Sequence, residues 1–188
     1  MKRDQWLIKG ATKDRQSITA DWQPTNQKLI AGVVVRETRN VPKAGGYLTE
    51  IYRADWHVDD LPVAQLFQVV LTPGALSAWH AHQFVTDRLF VNQGLIRIVL
   101  YDTRPGSPTR GLINEFKFGT VRPALVVVPP QVWHGIQNLG PASSSILNLV
   151  DQAYSYEDPD HWRLPPDTGE IPFRFAVATG ARTGEALK

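Results

Sequence analysis

The chain has 188 residues, 43% apolar and 20% charged, the make-up of an ordinary globular protein with one core and room for arms. Its net charge is only +2 and the basic residues are scattered singly, so neither nucleic acid nor an anionic membrane is expected as a partner. The absence of cysteine excludes disulfides, thiolate ligands and thiol nucleophiles.

The first residues, Met1-Lys2-Arg3-Asp4-Gln5-Trp6, are charged and lead into no apolar segment, unlike a secretory signal. No window reaches the roughly 20 apolar residues of a membrane-spanning helix, and a cytoplasmic protein is expected. Residues 1–28 read as an N-terminal arm. Short β-rich runs follow at 29–37, 47–53, 64–71, 88–91, 95–101, 112–118, 124–128 and 145–150, separated by Gly, Pro, Asp and Asn. Many short strands between turn residues predict an all-β sandwich or barrel rather than βαβ units. Ala-Leu-Val-Val-Val at 124–128 has no polar alternation, as in a strand buried on both faces. From Asp151 the texture changes to Tyr, Asp, Pro and His, which predicts a C-terminal extension of loops and short turns against the barrel, frayed over its last ten residues. With no internal repeat and no linker, 1–188 is a single domain, its barrel at 29–150 and its extension at 151–188.

Three of the five histidines fall in one spaced pattern. Gly74 is followed after five residues by His80, after one more by His82, after four by Asp87 and after six by Gly94. Some forty residues later comes Pro129-Pro130-Gln131-Val132-Trp133-His134, with Asn138 beyond it. Side chains alternate along a strand, so His80 and His82 face the same way, and Asp87 and His134 can join them from neighbouring strands. Three imidazoles and a carboxylate suit a divalent transition metal, with Fe, Mn, Ni, Cu and Zn all compatible. The same side chains would also make a metal-free polar pocket. Trp79 and Trp133 precede pocket histidines and should point away from them, into the second layer of a sandwich.

These spacings resemble the two motifs of the cupin superfamily, with Asp87 where glutamate is usual and Gln131 where glycine is usual. A closer resemblance is to the dTDP-4-dehydrorhamnose 3,5-epimerase (dTDP sugar isomerase) family. It is carried by Gly46-Tyr47-Leu48-Thr49-Glu50, by the stretches 74–80 and 88–94, by Tyr101-Asp102-Thr103-Arg104-Pro105-Gly106-Ser107-Pro108-Thr109, and by His134-Gly135. Together these span about residues 44–165. The resemblance implies a double-stranded β-helix jelly roll, usually a homodimer, acting on a nucleotide-linked 4-keto sugar.

Carried over one residue at a time, the family's base histidine matches His80 and its later histidine matches His134, and Gln65 keeps a family glutamine. The lysine that stabilises the enolate falls on Asp87, and the tyrosine acid falls on Leu147 or Asn148. Two phosphate-binding arginines fall on Ser77 and Gly45, and an asparagine on Phe67. The aspartate near the family's C-terminus has no evident match. Loss of oxyanion stabilisation costs about a hundred- to a thousand-fold in rate, whereas the gains, His82 and Asp87, are what a metal site requires. The expected function is therefore isomerase or epimerase chemistry on a keto sugar by enolisation, with a divalent ion on His80, His82, Asp87 and His134 replacing the lysine. His80 and His134 are the expected catalytic residues, and Glu50, Gln65, Arg88 and Tyr154 the candidate substrate contacts. Tyr154 and Tyr156 could lid the site or pack the extension onto the barrel. His57 and His161 read as surface or loop residues. A metal-dependent dioxygenase or lyase and a non-catalytic sugar-binding cupin remain as alternatives.

Overall fold

A computed structural model describes residues 6–14, 16–20 and 28–176. The expected frayed C-terminus and much of the expected N-terminal arm lie outside the described residues.

Among the described residues, the strands are β1 (Val34–Glu37), β2 (Asn40–Lys43), β3 (Gly46–Thr49), β4 (Gln65–Leu71), β5 (Leu76–Ala81), β6 (Asp87–Gln93), β7 (Leu95–Asp102), β8 (Ile113–Gly119), β9 (Ala124–Val128), β10 (Val132–Asn138), β11 (Ser144–Val150) and β12 (Trp162–Arg163). Two five-stranded sheets, ordered β1-β9-β6-β11-β4 and β12-β5-β10-β7-β8, face each other, with β2 and β3 as a separate hairpin. All pairings are antiparallel. This is the expected jelly roll.

Alternation builds the core. Leu89 and Val91 of β6, Val126 and Val128 of β9, and Ile96, Ile98 and Leu100 of β7 send every second side chain between the sheets. The odd positions of β9 are covered as well. Leu125 and Val127 pack on the outer face against Phe90, Leu149, Tyr52 and Trp56, so this strand is buried on both sides as its composition predicts.

Two runs are shorter than expected. Only Val34–Glu37 of 29–37 is extended, because Gly32 turns at φ +85° and Val33 N–H bonds back to the Ile30 carbonyl at 2.9 Å. Of the run 47–53 only the first three residues are extended, as part of β3, and a 3-10 turn at Ala54–Trp56 follows the run. Residues 101–109, the most specific part of the resemblance, form a knot around fully buried Asp102. Its carboxylate accepts hydrogen bonds from Arg104 Nε (2.9 Å), Arg104 Nη2 (3.0 Å), Ser107 Oγ (2.6 Å) and Thr109 Oγ1 (2.7 Å).

The C-terminal extension is more than a loose tail. Trp79 and Trp133 do point away from the histidines, yet the layer that covers them is not the other sheet. It is Ile171, Phe173 and Phe175 of the extension, with Trp79 completely buried. No helix among the described residues is long and apolar enough to cross a membrane.

Candidate active site

β5 and β10 pair with His80 directly opposite His134, ring centroids 5.9 Å apart. One residue past β5, His82 places its ring 5.6 Å from that of His134. Asp87 enters from the other sheet as the first residue of β6 and is 2% exposed. Its Oδ2 lies 3.5 Å from His82 Nε2 and 3.6 Å from His134 Nε2, while its Oδ1 accepts a 2.7 Å bond from Asn148 Nδ2. The donor atoms of His82, Asp87 and His134 all lie within 4.8 Å of one another, a spread that one divalent ion can bridge.

The rest of each ring fixes its tautomer. His82 Nδ1 meets the backbone carbonyl of Asp160, and His134 Nδ1 meets that of Val132 at 3.3 Å. A carbonyl only accepts, so both Nδ1 atoms carry a proton and both Nε2 atoms face the Asp87 carboxylate, with lone pairs wherever the ring is neutral. Carbonyl-oriented imidazoles of this kind are the usual support of metal-ligating histidines.

His80 stands beside this trio with both nitrogens engaged. Its Nε2 is 2.8 Å from Ser77 Oγ and its Nδ1 is 2.9 Å from His161 Nε2. Burial, reinforced by His134, Arg163, His161 and His82, pushes the His80 imidazole down to about 2. Burial also lowers His134, and burial with Arg163 pushes His161 down to about 4. At neutral pH these rings are uncharged, the form that accepts a proton or a metal ion.

Three of the four expected ligands thus converge, and His80 sits next to them in a separate hydrogen-bonded arrangement. The expected substrate contacts are more scattered. Gln65 opens β4, and its Oε1 accepts the Tyr154 backbone N–H at 2.8 Å. Glu50 is exposed and paired with Arg53 at 3.1 Å. Arg88 is not brought to the cluster. Its side chain lies on the opposite face of β6 from Asp87 and is completely buried, with Nε and Nη2 on the Asp59 carboxylate at 2.7 and 2.5 Å. It also donates to the carbonyls of Leu61 (3.0 Å) and Pro62 (3.2 Å), which pins the 59–62 loop to the sheet. Tyr154 and Tyr156 contact each other edge to face at 5.2 Å and are 49% and 89% exposed, so they do not pack the extension onto the barrel.

His161, read from sequence as a surface or loop residue, belongs to the cluster, its ring 5.0 Å from that of His80 and 5.1 Å from that of His82. The Asp160 carboxylate, held low because the amides of Gln83, Phe84 and Val85 outweigh its burial, ties the same segment to the turn after His82. Asn148 and Ser77 complete the set. A tryptophan neighbour could not have singled out His161, because His57 has one too and lies exposed outside the site.

No protein-family model matches the chain. It is 32% identical over 139 residues to the probable low-salt glycan biosynthesis epimerase Agl13 of Haloferax volcanii, covering 73% of this chain and 89% of the relative. It is 29% identical over 147 residues to the spore coat polysaccharide biosynthesis protein SpsL of Bacillus subtilis, covering 78% and 97%. Among solved structures it matches a dTDP sugar isomerase from Desulfovibrio desulfuricans at 28% identity and TM-score 0.72, covering 81% of this chain and 94% of the other.

Proposed function

Because the chain belongs to the family of cupin-fold sugar epimerases typified by dTDP-4-dehydrorhamnose 3,5-epimerase, we propose that it epimerises a nucleotide-linked 4-keto sugar by enolisation. The observation that carries this reading is the placement of neutral His80 opposite His134 between the two sheets, on a scaffold shared with those enzymes. His80 takes the proton α to the ketone, the electron pair moves onto the ketone oxygen, and return of a proton to the other face inverts the carbon.

The oxygen of the enolate needs a positive partner, and Asp87 stands where a lysine would supply it. The converging lone pairs of His82 and His134 beside the Asp87 carboxylate support a divalent transition ion in that place. Such an ion supplies Lewis-acid polarisation of the ketone. The proposed work is therefore divided, with His82, Asp87 and His134 holding the cation and His80 moving the proton. Gln65, Glu50 and Tyr154 remain the candidate sugar or nucleotide contacts. The reading includes a cytoplasmic protein and a homodimer, the dimer supported by Leu66 and Val70, which stand 58% and 59% exposed on the outer face of edge strand β4.

The test is incubation with a dTDP-linked 4-keto-6-deoxy sugar in D2O, followed by proton NMR. Deuterium should enter the carbons flanking the ketone, and epimer should accumulate. Absence of both exchange and binding would exclude the reading.

A further inference from the structure

The C-terminal extension delivers one imidazole into the site, and the backbone around it is fastened on both sides. Ahead of it, the Asp160 carboxylate accepts the amides of Gln83 (2.6 Å), Phe84 (2.8 Å) and Val85 (3.2 Å). Behind it, Trp162 and Arg163 pair with Ala81 and His80 as β12, and Leu164 exchanges backbone hydrogen bonds with Trp79 at 2.9 and 3.1 Å. His161 is thus stitched to the strand that carries His80, and its Nε2 arrives 2.9 Å from His80 Nδ1. None of these attachments uses the His161 side chain, so its placement against His80 is not needed to hold the extension down.

We propose that His161 is a positioning residue for the proton-transferring His80, which it holds at Nδ1 while Ser77 faces Nε2. The proposal rests on the enolisation reading. With His161 accepting, the His80 proton sits on Nδ1 and the Nε2 lone pair receives the Ser77 hydroxyl, which turns aside for a substrate C–H. When that C–H bond breaks, its electron pair stays on the sugar as the enolate, the proton goes to Nε2, and the resulting imidazolium remains anchored through Nδ1. The imidazolium returns that proton from Nε2 while its Nδ1–H stays on His161, so the same acceptor serves the reverse step. A carboxylate in this place could accept only, and it would bring a second negative charge into a buried site that already holds Asp87. One neutral imidazole therefore serves both directions of proton transfer.

His161→Ala and His161→Gln test this with the full-length protein and the dTDP-linked 4-keto-6-deoxy sugar. Misplacing a catalytic group by about 1 Å can cost about a hundred-fold. The alanine variant should lose roughly ten- to a hundred-fold in kcat with KM unchanged within about twofold. Glutamine, whose amide both donates and accepts, should recover part of the loss. Unchanged kcat, a loss carried by KM, or glutamine no better than alanine would each overturn the proposal. Independently of substrate, nitrogen-15 NMR of the histidine rings should show one dominant His80 tautomer in the wild type and a mixture in His161→Ala. An unaltered His80 spectrum overturns the proposal too. If the wild type itself turns nothing over, the enolisation reading fails, and the tautomer measurement judges the His80–His161 contact alone.

Discussion

His82 turns its Nε2 toward Asp87 Oδ2 across 3.5 Å, because its Nδ1–H is committed to the Asp160 carbonyl. These two atoms sit together favourably only with a proton or a cation between them, and the proposed function assigns the cation. Protein purified without chelator should therefore carry close to one equivalent of a divalent transition metal by elemental analysis. His82→Ala should weaken retention by more than the about ten- to a hundred-fold that loss of a ligand's supporting partner costs, and lower turnover in step. Full turnover by metal-free wild type would remove the ion from the mechanism.

Arg88 is expected to act on the fold and not on the substrate. Arg88→Met leaves Asp59 without its bidentate partner and frees the 59–62 loop carbonyls, a change worth about 3 kcal/mol. That corresponds to a drop in Tm of roughly 6–12 °C for a chain of this size. Differential scanning fluorimetry and steady-state kinetics decide the matter together. A raised KM at unchanged Tm would return Arg88 to the binding site.

Asp102 gives the fold a pH limit on the acid side. Burial pushes its carboxyl up, but Arg104, Ser107 and Thr109 outweigh that and hold it well below the ordinary carboxylate range. A group whose folded pKa is depressed stabilises fully above its unfolded value, about 4, and loses that contribution as the pH falls further. Urea midpoints measured from pH 6 to pH 3 should decline steeply for the wild type and more gently for Asp102→Asn. The variant should start lower at pH 6 by about 2 kcal/mol.

The histidines add a second slope at higher pH. His80 and His161, pushed down to about 2 and about 4, stay uncharged in the folded state, whereas an unfolded chain protonates them near pH 6.5. Below that value the unfolded state binds more protons, so stability falls as the pH falls from 6.5 toward 4. His161→Gln should lose less stability than the wild type between pH 7.5 and pH 5. An identical change in both proteins would show that His161 takes up its proton as readily in the folded state as in the unfolded chain.

Gly94 ends the first motif for a steric reason. It sits at φ +78°, and a Cβ there would come 2.0 Å from Ser144 Oγ and 2.7 Å from Ser144 Cβ. Gly94→Ala should cost about 2–4 kcal/mol from strain and overpacking combined, and chemical denaturation should show it. A neutral result would mean that β11 can shift away from the β6–β7 turn.

Much of this was legible in the amino-acid order. Short β-rich runs between turn residues marked β7, β8 and β11, the apolar run at 124–128 marked the doubly covered β9, and the motif spacing brought His82, Asp87 and His134 together. Gln131, standing where glycine is usual, does take a positive φ of 64°, and its amide bonds to the His82 carbonyl at 2.6 Å. What stayed hidden depends on contacts far apart in the chain. His161 joins His80 from 81 residues away, and Trp79 is covered by Phe173 and Phe175, neither of which leaves a local period to read. Arg88 was ambiguous for the opposite reason. Alternation gives its face, but only the fold shows that Asp59 waits there.

The carbonyl that orients His82 and the imidazole that meets His80 both come from residues 160–161, beyond β11. The strands up to Val150 include every member of one sheet and four of the other, yet without the later segment two of the histidines lack the neighbours that aim them. The surroundings of His80 and His82 are therefore complete only with the segment after the barrel docked along β5.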